Sequence, residues 1–256
     1  MLETNAKTVT WLLEAIKSSM ESFSRNPVSF MLPTFIAPIF LLVTIGASVG
    51  VLLLAFLFLT AFGIDSESML IVMGILGAIM FLVNWVFASG YCGALVNEYY
   101  RALRKESVGI VSFMNYAFAH APKFFVIVLV KAVIIGFFLT PLALIYYFLD
   151  LGSVHEAILY VFGGLALILI FIIEFLFSFS FIAYVEKRVK PFSAILISLN
   201  FIKDTHVKAL LVYVLYCIVC MSLLVPLLNI IMYFVFYPIA ASAMIRFFER
   251  QSEHYY

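Results

Sequence analysis

The sequence predicts an all-α integral membrane protein: six transmembrane helices paired as three hairpins, each preceded by an amphipathic helix at the cytoplasmic interface. Three observations carry this. Of 256 residues, 66% are hydrophobic and only 11% charged, whereas a soluble domain carries roughly 45–50% apolar and about 25% charged residues. So much apolar side chain cannot be hidden inside one domain of this size, so lipid must solvate much of the surface. The apolar residues fall in long uncharged runs, and the basic residues fall between alternate runs.

A helix needs about 20 apolar residues to cross the hydrocarbon. The first uncharged run, residues 28–64, holds Pro33 and Pro38 near its start and ends at Asp65-Ser66-Glu67. It lacks a polar turn in its middle, so it is expected to form one long, tilted or proline-bent helix. The following runs are 68–97, 122–149 and 157–185. The last, 209–245, is too long for one ordinary span and is expected to turn near Pro226-Leu227-Leu228-Asn229, giving two. No cleavable signal peptide is expected, because a charged amphipathic stretch precedes the first apolar run.

Every Lys and Arg except Lys131 falls on one side of this six-span arrangement. The opposite loops, 65–68, 150–156 and the Pro226 turn, contain none. Basic residues are retained in the cytoplasm, which predicts a multi-pass protein of the plasma (cytoplasmic) membrane with both termini inside.

The chain is expected to be a single membrane domain over 1–256, built from one unit used three times: about 4–105, 106–190 and 191–250. Each unit opens with a short amphipathic segment: 4–25, 109–121 and 191–205. The first sets Val9, Leu12, Leu13, Ile16, Met20 and Phe23 on one helical face and Lys7, Glu14, Lys17, Glu21 and Arg25 on the other. The second repeats that periodicity with Ile110, Phe113, Met114 and Ala117, the third with Phe192, Ile195, Leu196 and Leu199. Small residues cluster where the second spans near the cytoplasm, as in Ala88-Ser89-Gly90, Gly93-Ala94 and Ala240-Ala241-Ser242-Ala243. Such runs let helices approach closely in lipid.

The stretch Phe179-Ser180-Phe181-Ile182-Ala183-Tyr184-Val185-Glu186, then Pro191-Phe192-Ser193-Ala194-Ile195-Leu196-Ile197-Ser198-Leu199-Asn200 and a new span, resembles a known pattern. It is similar to the uncharacterised six-span membrane proteins of bacteria and archaea related to the membrane domain fused to some glycerophosphodiester phosphodiesterases. That resemblance implies a non-catalytic helical membrane module and carries over no functional residue. The soluble phosphodiesterase barrel with its metal-binding carboxylates has no counterpart in this sequence.

Lys131 and Glu174 are the charges set well inside predicted spans. Lys131 lies nine residues beyond Pro122 and Glu174 twelve before Glu186, so both sit roughly 13–18 Å from the cytoplasmic end at 1.5 Å per residue. A charge at the helix centre costs about 2.5–3.5 kcal/mol and normally faces a partner or water. Two readings stand: a polar site handling an ion, proton or lipid headgroup, or an ion pair or snorkelling lysine that fixes helix register. Asn84, in the second span, is a candidate interhelical hydrogen bonder.

Cys217 and Cys220 form a C-x-x-C pair without a second pair or His at metal-ligand spacing, so with Cys92 they read as small apolar residues. His120, His155, His206 and His254 are scattered near the interfaces. Trp11 and Trp85 belong to no stacking motif. No phosphate loop, nucleophile–base set or carboxylate–His cluster is present, so no enzyme, cofactor or metal is expected. With a net charge of +1, nucleic acid is not an expected partner; membrane lipids and other membrane subunits are. Two functions follow: a lipid-engaging scaffold or accessory subunit, or a transporter or channel for a small solute or ion built on Lys131 and Glu174.

Overall fold

The computed structural model describes residues 2–148, 156–226 and 229–252. Expectations concerning the side chains of Lys7 and Val9, His155, His254, and most of the 150–156 and Pro226 turns lie outside that description. The described residues form helices and connecting turns, with no strand among them. In chain order these are α1 (Leu2–Arg25), α2 (Pro27–Ala61), α3 (Ser66–Leu103), α4 (Ile110–Phe148), α5 (Glu156–Phe177), α6 (Ser180–Lys187), α7 (Pro191–Ser222) and α8 (Asn229–Ser252). Six segments are long and apolar enough to cross a bilayer: α2, α3, α4, α5 with α6, α7 and α8. The chain is an integral, multi-pass membrane protein.

Local chemistry explains the boundaries. Asn26 alone separates α1 from α2, and Pro27 opens α2 where its missing N–H would lack a helical partner anyway. Gly63, at φ +66°, turns the chain out of α2. Asp65 then caps α3, its side chain accepting from the Ser68 N–H at 2.9 Å. Pro191 opens α7 as Pro27 opens α2.

The 28–64 run forms one helix through Pro33 and Pro38. Pro38 has no N–H to offer the carbonyl of Thr34, four residues earlier. That carbonyl instead accepts from the Tyr233 hydroxyl of α8 at 2.9 Å. In lipid, a backbone group released by proline needs such a replacement partner. The donor sits in a π-helical turn of α8, Met232–Phe236, just before Pro238.

Three sequence expectations differ from the structure. The segments 109–121 and 191–205 are not separate helices: α4 runs unbroken through Pro122, and α7 through His206. In α4, Phe113, Ala117, Ala121, Phe124 and Ile127 form one buried stripe across that junction, so packing holds the helix together despite the proline. Third, the 157–185 run is not one helix but breaks at Ser178–Phe179. Ser178 bonds back to the Phe175 carbonyl through both its N–H (3.1 Å) and its hydroxyl (2.7 Å). Ser198 of α7 donates to the Leu176 carbonyl at 2.9 Å, satisfying a group exposed by the break.

Packing is strongly one-sided. Buried residues gather at the end of the bundle where α2, α4 and α7 begin and α3, α6 and α8 finish: Phe30, Tyr99, Phe113, Phe124, Phe179 and Phe248 are its largest fully buried apolar side chains. Close approach of α3 to α4 depends on Gly90, against Ala117 and Ala121, and on Gly93, against the Phe124 ring. Toward the opposite end, Leu54 and Leu57 of α2, Leu70 of α3, Phe137 of α4 and Leu167 of α5 are exposed. A Cβ added at Gly46, Gly50, Gly74, Gly77 or Gly136 would meet nothing. Those halves are exposed apolar helix surface within the candidate spans.

Helix α1 packs against α8 and is seated by Ala15 and Ser19, both buried, while Leu13 and Met20 face outward. The apolar face read from the sequence is therefore divided, with small residues turned to the bundle.

Candidate functional site

Among the cavities that enter the packed end, two are lined by candidate functional side chains. The inner one, of about 250 Å³, lies among α3, α4, α5, α6, α7 and α8. Lys131 of α4 and Glu174 of α5 line it, with Nζ 2.9 Å from Oε2. Their side chains are 25% and 39% exposed, so the pair is not sealed in the core.

The other polar groups on this cavity are Cys92, Ser178, Tyr99, Tyr213, Tyr216 and Tyr237. The Tyr99 hydroxyl shares a hydrogen bond with the buried hydroxyl of Thr34, and Tyr216 donates to Tyr237 at 3.4 Å. These bonds tie α2 to α3 and α7 to α8 around the site. Both irregularities of the backbone lie beside it: Ser178, at the break after α5, and Tyr237, directly after the π turn. Chemically the site offers one cation, one carboxylate and several hydroxyls, enough to hold a small polar group or ion.

Asn84 does not line this cavity. It donates to Ser48 of α2 at 2.8 Å and to its own Met80 carbonyl at 2.9 Å, forming an interhelical clasp. Cys217 and Cys220 are free thiols on α7.

The outer cavity is larger, about 750 Å³, and opens at the basic end. Its wall is made by the last turns of α3, the first turns of α4, α6 and the 188–190 linker. Arg101, Arg104, Lys123, Arg188 and Lys190 line it, with Glu106 and Glu186 as the facing carboxylates. Tyr116 stacks on His120 with ring centroids 4.1 Å apart, and Tyr184 completes an aromatic side. Phe124, fully buried, separates the two cavities: it contacts Phe181 on the inner one at 4.9 Å and Tyr184 on the outer one at 4.8 Å.

Around this end runs a charge network that the sequence did not reveal. Glu98, fully buried, accepts from Arg101 at 3.1 Å and from Ser112 at 3.2 Å. Its spacing to Arg101 was the available signal. Arg246 of α8 donates to the Leu103 carbonyl at the C-terminus of α3 at 3.1 Å, where a cation complements the helix dipole. Arg104 meets Glu249 at 3.5 Å and lies over Tyr100, and Arg250 reaches Glu14 of α1 at 2.8 Å. Trp11 and Trp85 do have neighbours: Lys208 lies over Trp11 at 5.3 Å, and Phe125 meets Trp85 edge-on at 5.5 Å. Basic side chains from α3, α4, α7 and α8 thus converge on one end of the molecule.

Compared with known proteins, the chain matches no protein-family model, no curated protein and no solved structure.

Proposed function

We propose that the protein is a non-enzymatic scaffold or accessory subunit of the plasma membrane that engages lipids, with both termini in the cytoplasm. The observation that carries this reading is the one-sided packing. Large apolar side chains along the far halves of α2, α3, α4 and α5 are exposed, whereas the buried side chains gather toward the basic end. A bundle built this way presents apolar helix faces to acyl chains or to helices of another subunit, and a charged face to the headgroup layer. Native mass spectrometry of the protein extracted with its surrounding membrane tests it. Retained lipid or a stoichiometric partner is the expected result; a bare monomer surviving gentle extraction contradicts the reading.

A second reading, a transporter or channel for a small solute or ion, is favoured by the Lys131–Glu174 cavity. Transporter sites lie where spans are discontinuous and polar groups converge. Here a broken helix, a π turn and four tyrosines surround an ion pair. Flux into proteoliposomes that Lys131→Met abolishes, with fold intact, would move the assignment to this class.

A further inference from the structure

The geometry points to the outer cavity as a binding site for a phosphate-bearing anion, either a lipid headgroup or a soluble phosphoester. This goes beyond the scaffold reading and does not rest on it, because it follows from the charge and shape of one cavity.

Five cationic side chains line that cavity against two carboxylates. Arg101 is engaged by Glu98 and Glu106, and Arg104 by Glu249. Among the described residues Lys123, Arg188 and Lys190 make no ion pair, so the mouth carries cationic charge without an internal counterion. A concave site walled by apolar and aromatic groups concentrates that field and raises the local concentration of anions.

Three features suit the anion to phosphate. The cavity volume of about 750 Å³ falls within the range of roughly 300–1,000 Å³ typical of small-molecule sites. Arg188 adopts φ +50°, a left-handed conformation in which Gly is the usual residue; the chain keeps a guanidinium there, and guanidinium is the group best matched to phosphate oxygens. The Tyr116–His120 stack and Tyr184 supply hydrogen-bonding groups and flat faces for whatever the phosphate carries.

The test uses the full chain in phosphatidylcholine nanodiscs, with and without 10% phosphatidic acid, and with glycerol 3-phosphate as the soluble probe. A triple variant, Lys123→Gln, Arg188→Gln and Lys190→Gln, is compared with a matched control outside the cavity, Lys17→Gln, Arg25→Gln and Lys203→Gln. All six residues are exposed, and unfolding temperature verifies that each variant folds. Native mass spectrometry reads retained phosphatidic acid; calorimetry reads glycerol 3-phosphate. At roughly fivefold per basic residue, the cavity variant should weaken binding on the order of a hundredfold while the control stays within a few-fold. Loss of phosphatidic acid alone identifies a lipid headgroup; loss of glycerol 3-phosphate binding identifies a soluble ligand. Restoring charge with Lys123→Arg and Lys190→Arg should preserve binding. Equal weakening in the control, or no binding of either probe by the wild type, overturns the proposal.

Discussion

Replacing Gly93 by Ala should loosen the contact that holds α3 to α4. A Cβ there would lie 2.2 Å from two Phe124 ring carbons and 2.4 Å from a third, far inside the closest approach of real side chains. The ring has little room to yield: it is fully buried, with Phe181 and Tyr184 less than 5 Å away, centroid to centroid. Relief must come from moving α3 off α4. Overpacking of this kind costs about 1–3 kcal/mol, against a helix-propensity gain of up to about 1 kcal/mol for Gly→Ala. A clash this close sits at the upper end, leaving a net loss of about 1–2 kcal/mol. At roughly 2–4 °C per kcal/mol for a chain of this size, thermal unfolding in nanodiscs should fall by about 2–8 °C. Gly77→Ala on the same helix is the control, because its added methyl would meet nothing, and it should leave the midpoint unchanged or slightly raised. Phe124→Leu should reduce the penalty of Gly93→Ala in a double-mutant cycle. Equal shifts for Gly93→Ala and Gly77→Ala would refute the close α3–α4 contact.

Three further outcomes follow from the same packing. Lys131→Met or Glu174→Gln alone leaves one charge in the span and should cost up to about 3 kcal/mol; the double variant should recover most of that in denaturant unfolding, and additive losses would deny the pair. Tyr233→Phe strands the Thr34 carbonyl that Pro38 releases and should destabilise by about 1 kcal/mol, a loss absent when Pro38 is first changed to Ala; an equal loss in both backgrounds would contradict the replacement-partner argument. Asp65 is held below the ordinary carboxylate value of 3.8 by the Ser68 N–H. Its cap is therefore complete above that value and lost as pH falls through the lower folded one; protection of the Ser68 amide relative to its intrinsic exchange rate should fall over that interval, and Asp65→Ala should remove the dependence.

What the sequence makes legible here depends on how local the cause is. Apolar run length gives the six spans. The lack of a polar turn keeps residues 28–64 in one helix, and the polar turn near Pro226 divides 209–245 between α7 and α8. Depth counted from Pro122 and Glu186 sets Lys131 and Glu174 at one level, and the structure joins them at 2.9 Å. The break at Ser178–Phe179 has no such local sign, since the hydroxyl that satisfies Leu176 comes from Ser198 on another helix. Pro122 reads as a boundary by its chemistry, yet a buried stripe continues across it. Glu98 lies beside the predicted end of a span, and only the approach of Ser112 and Arg101 turns it into a fully buried carboxylate. The outer cavity gathers residues from 97–123 and from 184–191, two spans further along the chain, so its charge balance exists only in three dimensions.

Retention of basic side chains in the cytoplasm would put the basic end and the Asp65 turn in different aqueous compartments. Single cysteines introduced as Asp65→Cys and Lys190→Cys, with Cys92, Cys217 and Cys220 replaced by Ala, would be labelled by a membrane-impermeant maleimide in intact cells. Cysteine at 65 should react at once and cysteine at 190 only after permeabilisation. Labelling of both from the same side would contradict it.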